Sequence, residues 1–230
     1  MKLNGSFKAL SKFELILWLA SAAAVTLSFL LSSDDYLTLI ASLIGVTALI
    51  FVSKGYVLGQ ILTVVFSVFY GIISFYFRYY GEMITYLCMT APIAVMAVVS
   101  WIKNPFENTK EVRVSRLTKK SFTVLIILTA VVTAAFYFLL KALGNANLLF
   151  STVSIATSFL ASSLTFLRSP FYALAYAAND IVLIVLWALA SEENISYFPM
   201  IVCFMMFLLN DFYGFFNWKR IKKRQEKYSF

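Results

Sequence analysis

Residues 208–225 read LLNDFYGFFNWKRIKKRQ, an apolar run that carries Asn210 and Asp211 side by side and then passes into a cluster of basic residues. The same Asn-Asp pair occurs in the apolar stretch YAANDIVLIVLW, as Asn179 and Asp180. An ionisable group at the centre of a bilayer costs about 2.5–3.5 kcal/mol on insertion scales, and residues that bear this cost usually face a functional cavity. The two pairs therefore predict a polar site inside a membrane-spanning bundle. The structural alternative is hydrogen bonding that pins two helices together.

The composition is typical of a membrane protein. Of the 230 residues, 61% are hydrophobic and 13% are charged, whereas soluble domains carry about 25% charged residues. The mean hydropathy is +0.84. The net charge of +8 does not indicate a nucleic-acid partner, because a basic excess in a membrane protein usually lies in its cytoplasmic loops.

Apolar runs along the chain predict an all-α integral membrane protein with eight transmembrane helices. Each run approaches or reaches the roughly 20 residues that a helix needs to cross the bilayer. The first run imitates a signal peptide but has no convincing cleavage site, so it is interpreted as a retained helix. The predicted helices occupy roughly 13–31, 36–52, 56–77, 83–102, 122–140, 147–167, 169–190 and 197–217.

Basic residues lie almost entirely on one side of this eight-helix arrangement. If the N-terminus is cytoplasmic, Arg78 and Lys141 are the only members of the 19 Lys and Arg residues that fall outside. Such an asymmetry predicts that both termini are cytoplasmic. The outer turns would then carry the acidic residues Asp34, Asp35, Glu82, Glu192 and Glu193.

A short motif repeats at matching places in the two halves of the chain. GEMITY (81–86) joins spans 3 and 4, and EENISY (192–197) joins spans 7 and 8. Each following span has an early Pro and ends in a Trp close to basic residues, Trp101 in one case and Trp218 in the other. The recurrence predicts that spans 2–4 repeat as spans 6–8, with parallel units related by an axis along the membrane normal.

The predicted organisation is therefore 3+1+3 with an additional first helix. Span 5 must return the chain across the membrane before the second unit can start in the same direction. The predicted segments are 1–32 (cytoplasmic N-terminus and extra helix), 33–102 (first three-helix repeat), 103–121 (basic cytoplasmic connector), 122–145 (linker helix), 146–217 (second three-helix repeat) and 218–230 (basic cytoplasmic tail).

Helical spacing groups the polar and aromatic side chains of spans 3, 7 and 8 into stripes. Asn210 shares a face of span 8 with Tyr213, and Asn179 shares a face of span 7 with Tyr176. Such stripes predict the lining of a substrate cavity. The candidate substrate-binding residues are Asn179, Asp180, Trp187, Asn210, Asp211, Tyr213, Gln60, Thr63, Tyr70 and Tyr176.

Spans 4 and 6 are expected to contribute less to the cavity. On span 6, Ser151, Ser154, Ser158 and Ser162 form a stripe of small residues, which is interpreted as a face for close helix packing. Span 4 has no obvious polar and aromatic cluster comparable to that of span 8.

The predicted lining offers amides, hydroxyls, two carboxylates and aromatic rings. This set suits a small, flat, hydroxylated ligand with a delocalised positive charge, through cation–π attraction and Coulomb pairing. The chain has no His and no cluster with metal-ligand spacing, so neither a metal nor a cofactor is expected. An intramembrane enzyme would have to use Asp180 and Asp211 as its catalytic pair, and this alternative is much weaker.

The same residues carry a family resemblance. LLNDFYGFFNWKRI (208–221) resembles the Asn-x-x-Tyr-Gly-x-x-Asn-Trp signature that closes the last helix of PnuC-type nicotinamide riboside transporters. STVSIATSFLASSL (151–164) and NDIVLIVLW (179–187) are similar to the two preceding helices of that family. Three stretches of the first half are similar to its other parts: YYGEMITY (79–86), SWIKNP (100–105) and SRLTKK (115–120).

The resemblance implies a SWEET-like 3+1+3 transporter in a bacterial cell membrane. It implies uptake of nicotinamide riboside for NAD biosynthesis by facilitated diffusion, with trapping by a cytoplasmic kinase. A thiamine or related vitamin transporter of the same fold is the alternative, because a thiazolium ring is also a flat cation. The partners that the resemblance implies are the lipid bilayer, the small-molecule substrate and a functionally coupled cytoplasmic kinase. It leaves open whether the protein forms a homo-oligomer.

Overall fold

The computed structural model describes residues 9–32, 36–76, 79–145, 147–193 and 197–228. Eight helices in these ranges are long and apolar enough to cross a membrane, as the sequence predicts. They are α1 (Lys12–Ser32), α2 (Tyr36–Ser53), α3 (Val57–Tyr76), α4 (Tyr80–Lys103), α5 (Lys119–Ala142), α6 (Leu148–Phe166), α7 (Tyr172–Glu193) and α8 (Phe198–Tyr228). The predicted outer residues Asp34, Asp35 and Arg78 lie outside the described residues, as do residues 194–196 of the EENISY motif.

The C-terminal basic residues extend the last transmembrane helix and do not form a separate tail. α8 runs without a break for 31 residues, which is about 46 Å at 1.5 Å per residue and exceeds the roughly 30 Å hydrocarbon core. Its last turns pack on the connector between α4 and α5, where Gln225 accepts a hydrogen bond from the Val114 N–H at 2.8 Å and donates one to the Val112 carbonyl at 3.0 Å. The basic segment predicted over 218–230 thus continues α8 as a helix as far as Tyr228.

We call the end of the bundle that carries this connector and the end of α8 the basic end. The connector (104–118) is held there by backbone hydrogen bonds from Val112 to Gly55 at 2.9 Å and from Ser115 to Arg168 at 3.0 Å. The other end of the bundle, where α3 and α7 finish and α4 and α8 begin, is called the far end.

Two buried tryptophans make equivalent contacts at the basic end. Trp218 of α8 donates its indole N–H to the Val52 carbonyl of α2 at 2.8 Å. Trp101 of α4 donates to the Thr165 carbonyl of α6 at 3.0 Å. The ring centroids of the two tryptophans lie 5.4 Å apart.

The helix packing follows the same correspondence. α8 packs on α2 as α4 packs on α6, while α3 packs on both α2 and α4, and α7 on both α6 and α8. This matched pattern supports the predicted relation between helices α2–α4 and α6–α8. Helix α5 buries only Leu125 and Leu140, as expected of a peripheral linker.

Helix α1 is tied to the bundle by polar contacts. Glu14 is buried and pairs with Lys54, which follows α2, at 2.9 Å. Tyr213 of α8 donates its hydroxyl hydrogen to the same carboxylate at 2.8 Å. One turn further along, Asn210 donates to the Ser21 hydroxyl at 3.0 Å. The additional helix thus contacts the first helix of one three-helix unit and the last helix of the other.

One expectation about a single residue is wrong. Glu82 does not lie in an outer turn, because α4 begins at Tyr80 and buries the Glu82 side chain. Of the two cysteines, Cys203 is buried and Cys88 is exposed on the outside of the bundle. The outer surface of a membrane bundle faces apolar lipid, so an apolar run does not distinguish inside from outside.

The Glu14–Lys54 pair gives a stability prediction. Lys54→Met leaves a buried carboxylate without its counter-charge, and breaking a buried ion pair in this way costs roughly 3–5 kcal/mol. We expect a loss of stability near the lower end of that range, because Lys54 is partly exposed and solvent weakens the ion pair. Thermal unfolding in detergent should show a clear loss of stability, partly restored in Glu14→Gln/Lys54→Met. Lys223→Met, which removes an exposed lysine of α8, is the control, and equal stability of the two lysine variants would refute the prediction.

Candidate functional site: an acidic cavity between the two helical units

A cavity lies in the middle of the bundle between α2, α3, α4, α7 and α8. It leaves about 50 Å³ for the centres of water-sized spheres, which is room for several waters, since one water needs roughly 10–15 Å³ by this measure. Both three-helix units contribute to its wall. The lining residues are Gly45, Ala48, Leu49, Val52, Gln60, Thr63, Phe66, Ser67, Tyr86, Thr90, Tyr176, Asn179, Asp180, Phe207 and Asp211.

Two carboxyl groups dominate the electrostatics of this cavity. Asp180 of α7 and Asp211 of α8 are both buried, and their carboxyl groups are neighbours. The Oδ2 atom of Asp180 is buried without a hydrogen-bond partner. There is no Lys or Arg among the described residues that line the cavity. Because two adjacent carboxylates repel each other in a medium of low dielectric constant, the arrangement favours a positively charged ligand.

Asn179 is held in one orientation by hydroxyl groups of α6. Its Oδ1 atom accepts a hydrogen bond from Ser158 at 2.9 Å, and the hydroxyls of Thr157 and Ser154 lie 2.9 and 3.3 Å away. With the carbonyl side of the amide turned to α6, its NH₂ group remains as a donor for the cavity. The serine stripe of α6 therefore orients a lining residue in addition to permitting close packing.

Helix α3 presents hydroxyl oxygens to the cavity. The Thr63 hydroxyl donates to the Gly59 carbonyl at 2.9 Å, and the Ser67 hydroxyl donates to the Thr63 carbonyl at 2.8 Å. Since each hydroxyl hydrogen is used within the helix, the oxygens are available as acceptors. Gln60 is buried and lines the cavity one turn closer to the basic end.

Helix α4 contributes more than the sequence suggested. Residues Thr85–Thr90 form a π-helical turn, a local irregularity that occurs frequently at functional sites. Tyr86 and Thr90 of this turn line the cavity, and the Thr90 hydroxyl is buried without a hydrogen-bond partner. Span 4 has no obvious polar and aromatic cluster in its sequence, yet these two side chains line the cavity. The GEMITY motif, which ends at Tyr86, was the signal that could have identified this tyrosine.

Aromatic side chains close the bundle between the cavity and the far end. Trp187 donates its indole N–H to the Tyr70 hydroxyl at 2.9 Å. The Trp187 ring lies 5.1 Å from that of Tyr79 and 5.7 Å from that of Tyr197, and the Tyr70 ring lies 5.7 Å from that of Phe204. These five residues form the aromatic closure, one to two turns beyond the lining residues of the same helices.

The structure thus separates the predicted site residues into three sets. Gln60, Thr63, Tyr176, Asn179, Asp180 and Asp211 line the cavity. Tyr70 and Trp187 belong to the aromatic closure, whereas Asn210 and Tyr213 bond to α1. Adjacent residues on a helix point about 100° apart, so Asn210 and Asp211 face different neighbours. The lining residues that the prediction missed are Phe66, Ser67, Tyr86, Thr90, Phe207 and the small and aliphatic residues of α2.

Comparison with known proteins assigns the chain to a family of transporters. Residues 35–220 match the family model described as nicotinamide mononucleotide transporter. The chain belongs to this family. The match extends from the start of α2 into the part of α8 beyond Trp218, so it includes every helix that lines the cavity. The members are membrane transporters, and the chain is accordingly a multi-pass transporter and not an enzyme.

Individual relatives extend the comparison over nearly the whole chain. The chain is 26% identical to the nicotinamide riboside transporter PnuC of Neisseria mucosa over 95% of its own length and 85% of that protein. It is also 26% identical to the PnuC of Haemophilus influenzae, over 92% of both proteins. A crystal structure of the vitamin B3 transporter PnuC superposes with a TM-score of 0.83, at 26% identity and 94% coverage of both chains.

The paired carboxylates give a prediction that needs no ligand. Asp180→Asn removes one of two adjacent acids without changing the volume of the side chain, so it relieves their repulsion. Sites built for binding often reduce stability, and we expect this change to increase the stability of the ligand-free protein by about 0.5–2 kcal/mol. Thermal unfolding in detergent is the measurement. Glu192→Gln removes an exposed acid at the end of α7 and serves as the control. A fall in stability for Asp180→Asn alone would mean that the pair is structural.

Proposed function

We propose that this protein carries nicotinamide riboside into the cell by facilitated diffusion across the plasma membrane. The family and the relatives named above support a nicotinamide-containing substrate. The observation that carries the choice of this substrate is the acidic cavity, in which Asp180 and Asp211 face the ligand and no Lys or Arg is present among the described lining residues. A pyridinium ring offsets the negative charge that these residues place inside the membrane.

The same cavity argues against nicotinamide mononucleotide as the substrate. The nucleotide differs from the riboside by a phosphate group, and protein sites for phosphate normally provide Arg, Lys or clustered backbone N–H donors. Two aspartates at this place would repel the phosphate. The riboside, a cation without phosphate, fits the charge of the lining.

The polar lining matches the remaining groups of the riboside. The NH₂ group of Asn179 can donate to the carboxamide oxygen or to a ribose hydroxyl, while Thr63 and Ser67 accept hydrogen bonds from ribose hydroxyls. Tyr86 and Tyr176 line the cavity on opposite helical units, and their rings can stack on the flat cation. Trp187 and Tyr70 can make the same kind of contact when the aromatic closure opens.

Transport requires the cavity to widen and to open toward each side in turn. Ligand-binding pockets usually measure about 300–1,000 Å³, so a cavity of about 50 Å³ for water-sized spheres corresponds to a contracted state. Movement of α2–α4 against α6–α8 would open it, because the cavity lies between these two units. The aromatic closure would serve as the gate at the far end.

The charge of the cavity also explains how uptake could be directional without an ion gradient, with the free energy supplied by the phosphoryl donor that a cytoplasmic kinase consumes. A cytoplasmic kinase that phosphorylates the riboside converts a cation into a species with a negatively charged phosphate. Asp180 and Asp211 would repel that product, so it could not return through the same cavity. Trapping then follows from the lining residues themselves and needs no coupled ion.

Reconstituted liposomes test the substrate and the energetics together. Purified protein should equilibrate labelled nicotinamide riboside across the membrane without a proton or sodium gradient, whereas nicotinamide mononucleotide should not enter. Asp211→Asn should slow uptake of the riboside, since it removes a negative charge next to the cation. Preference for the nucleotide would overturn the assignment, as would thiamine uptake that exceeds riboside uptake. Accumulation driven by an imposed proton gradient would contradict facilitated diffusion.

The proposed orientation has the basic end in the cytoplasm. Residues 103–120 and the end of α8 together carry 12 of the 19 Lys and Arg residues, and cytoplasmic loops are enriched in these residues. Labelling of single cysteines with an impermeant thiol reagent in intact cells tests this orientation, with Cys88 and Cys203 replaced by Ala. A cysteine at Lys141, exposed near the far end, should react, and a cysteine at Lys110, exposed in the connector, should not. The reverse pattern would invert the topology.

A further inference from the structure

A third buried acid lies between the cavity and the far end. Glu82 is on the first turn of α4 and is 5% exposed. Tyr86, one turn further along the same helix, lines the cavity. Glu82 is therefore placed on the far-end side of the cavity, at the depth of the aromatic closure, and not among the residues that line the cavity itself.

The Glu82 carboxylate has no counter-charge in the described part of the chain. The ion pairs between described residues are Lys54–Glu14, Arg116–Glu226 and Arg224–Glu111, and all three involve the basic end. The Oε2 atom of Glu82 is buried without a hydrogen-bond partner. An ionisable side chain that is buried inside a membrane protein without a counter-charge is a candidate for a functional role.

The surroundings of Glu82 are aromatic on one side and polar on the other. The phenol groups of Tyr70 and Tyr86 lie close enough to interact electrostatically with the carboxylate, and the ring centroids of these tyrosines are 4.2 Å apart. The Ser154 hydroxyl of α6 lies near the Glu82 carboxyl group and donates a hydrogen bond to Oδ1 of Asn179 at 3.3 Å. Ser154 is therefore close both to Glu82 and to the amide that faces the cavity.

A carboxylate next to two phenol rings is the chemistry that recognises a flat organic cation. The rings offer their negative faces and the carboxylate offers a full charge. A bare metal ion is less suited to this place, since Ca²⁺ and Mg²⁺ require about six or more oxygen ligands, and the described surroundings provide a single carboxylate with a few hydroxyls.

We propose that Glu82, with Tyr70 and Tyr86, forms an outer recognition point that selects cationic substrates before they reach Asp180 and Asp211. This inference rests on the proposed transport of a cationic nucleoside. The cation would meet Glu82 when the aromatic closure opens, and would then pass along the Tyr86 side of α4 to the two aspartates. Glu82 acts on selectivity and entry, and the aspartates act on binding in the cavity.

The competing explanation is that Glu82 stabilises its own helix. An acidic residue in the first turn interacts favourably with the helix macrodipole. That role would affect the stability of α4 and, through it, all substrates equally. The recognition role predicts an effect that depends on the charge of the substrate, so the two explanations are separable by experiment.

Nicotinamide riboside and its neutral dihydro form provide a matched pair of ligands, because they have nearly the same shape and differ in the charge of the ring. The experiment measures KM and maximal rate for both ligands in liposomes containing wild type, Glu82→Gln or Glu82→Asp. Glu82→Gln should raise the KM for the cation about tenfold, which corresponds to about 1.4 kcal/mol, and should leave the KM for the neutral form within about twofold. Glu82→Asp should recover most of the preference for the cation.

Glu192→Gln is the control, since it removes an acid from the same end of the bundle at an exposed position, and it should leave the preference unchanged. Equal losses for both ligands in Glu82→Gln, or a preference that stays at the wild-type value, would overturn the inference and leave the helix-stabilising role. Failure of the proposed function is distinct, because wild type would then transport neither ligand.

Discussion

The rest of the bundle depends on a pair of equivalent tryptophan hydrogen bonds. The Trp218 indole N–H donates to the Val52 carbonyl, and the Trp101 indole N–H donates to the Thr165 carbonyl. Both carbonyls lie in the last turn of a helix, and each also accepts a backbone N–H, from Gly55 at 2.8 Å and from Arg168 at 2.9 Å. A carbonyl oxygen can accept two hydrogen bonds, and each tryptophan donates the second one from the last helix of the opposite unit. The two units are thereby joined at the basic end, and the cavity is placed between them.

Within this symmetric frame the two units have different chemistry. The second unit contributes Asn179, Asp180 and Asp211 to the cavity, while the first contributes Gln60 and hydroxyl groups. The stripe of hydroxyls on α6 holds the amide of Asn179, and the additional helix α1 takes up the Asn210 side chain. Two units with matching helix contacts therefore contribute different polar side chains to the cavity.

Buried acids without basic partners lower stability, and their presence is intelligible only if a ligand offsets the cost. Asp180 and Asp211 in the cavity, and Glu82 beyond it, would form a sequence of negative charges along the path of a cation. Lys and Arg residues are concentrated at the basic end. In the proposed mechanism, the basic end orients the protein in the membrane and the buried acids recognise the substrate.

The sequence by itself determined the number of membrane helices, their approximate bounds and the importance of the Asn-Asp pairs, because hydrophobic length and the rarity of intramembrane acids are local properties. It did not determine which member of each pair faces the cavity. That depends on the rotation of α7 and α8, and only packing sets it: α1 takes Asn210, whereas Asn179 and Asp180 both reach the cavity. Contacts between distant segments also determine three other features. They bury Glu82, they place Tyr86 and Thr90 of the π-helical turn at the cavity, and they supply the α6 hydroxyls that hydrogen-bond to Asn179. A single apolar run looks the same whether it faces lipid or protein, and for that reason the tertiary structure alone decided these features.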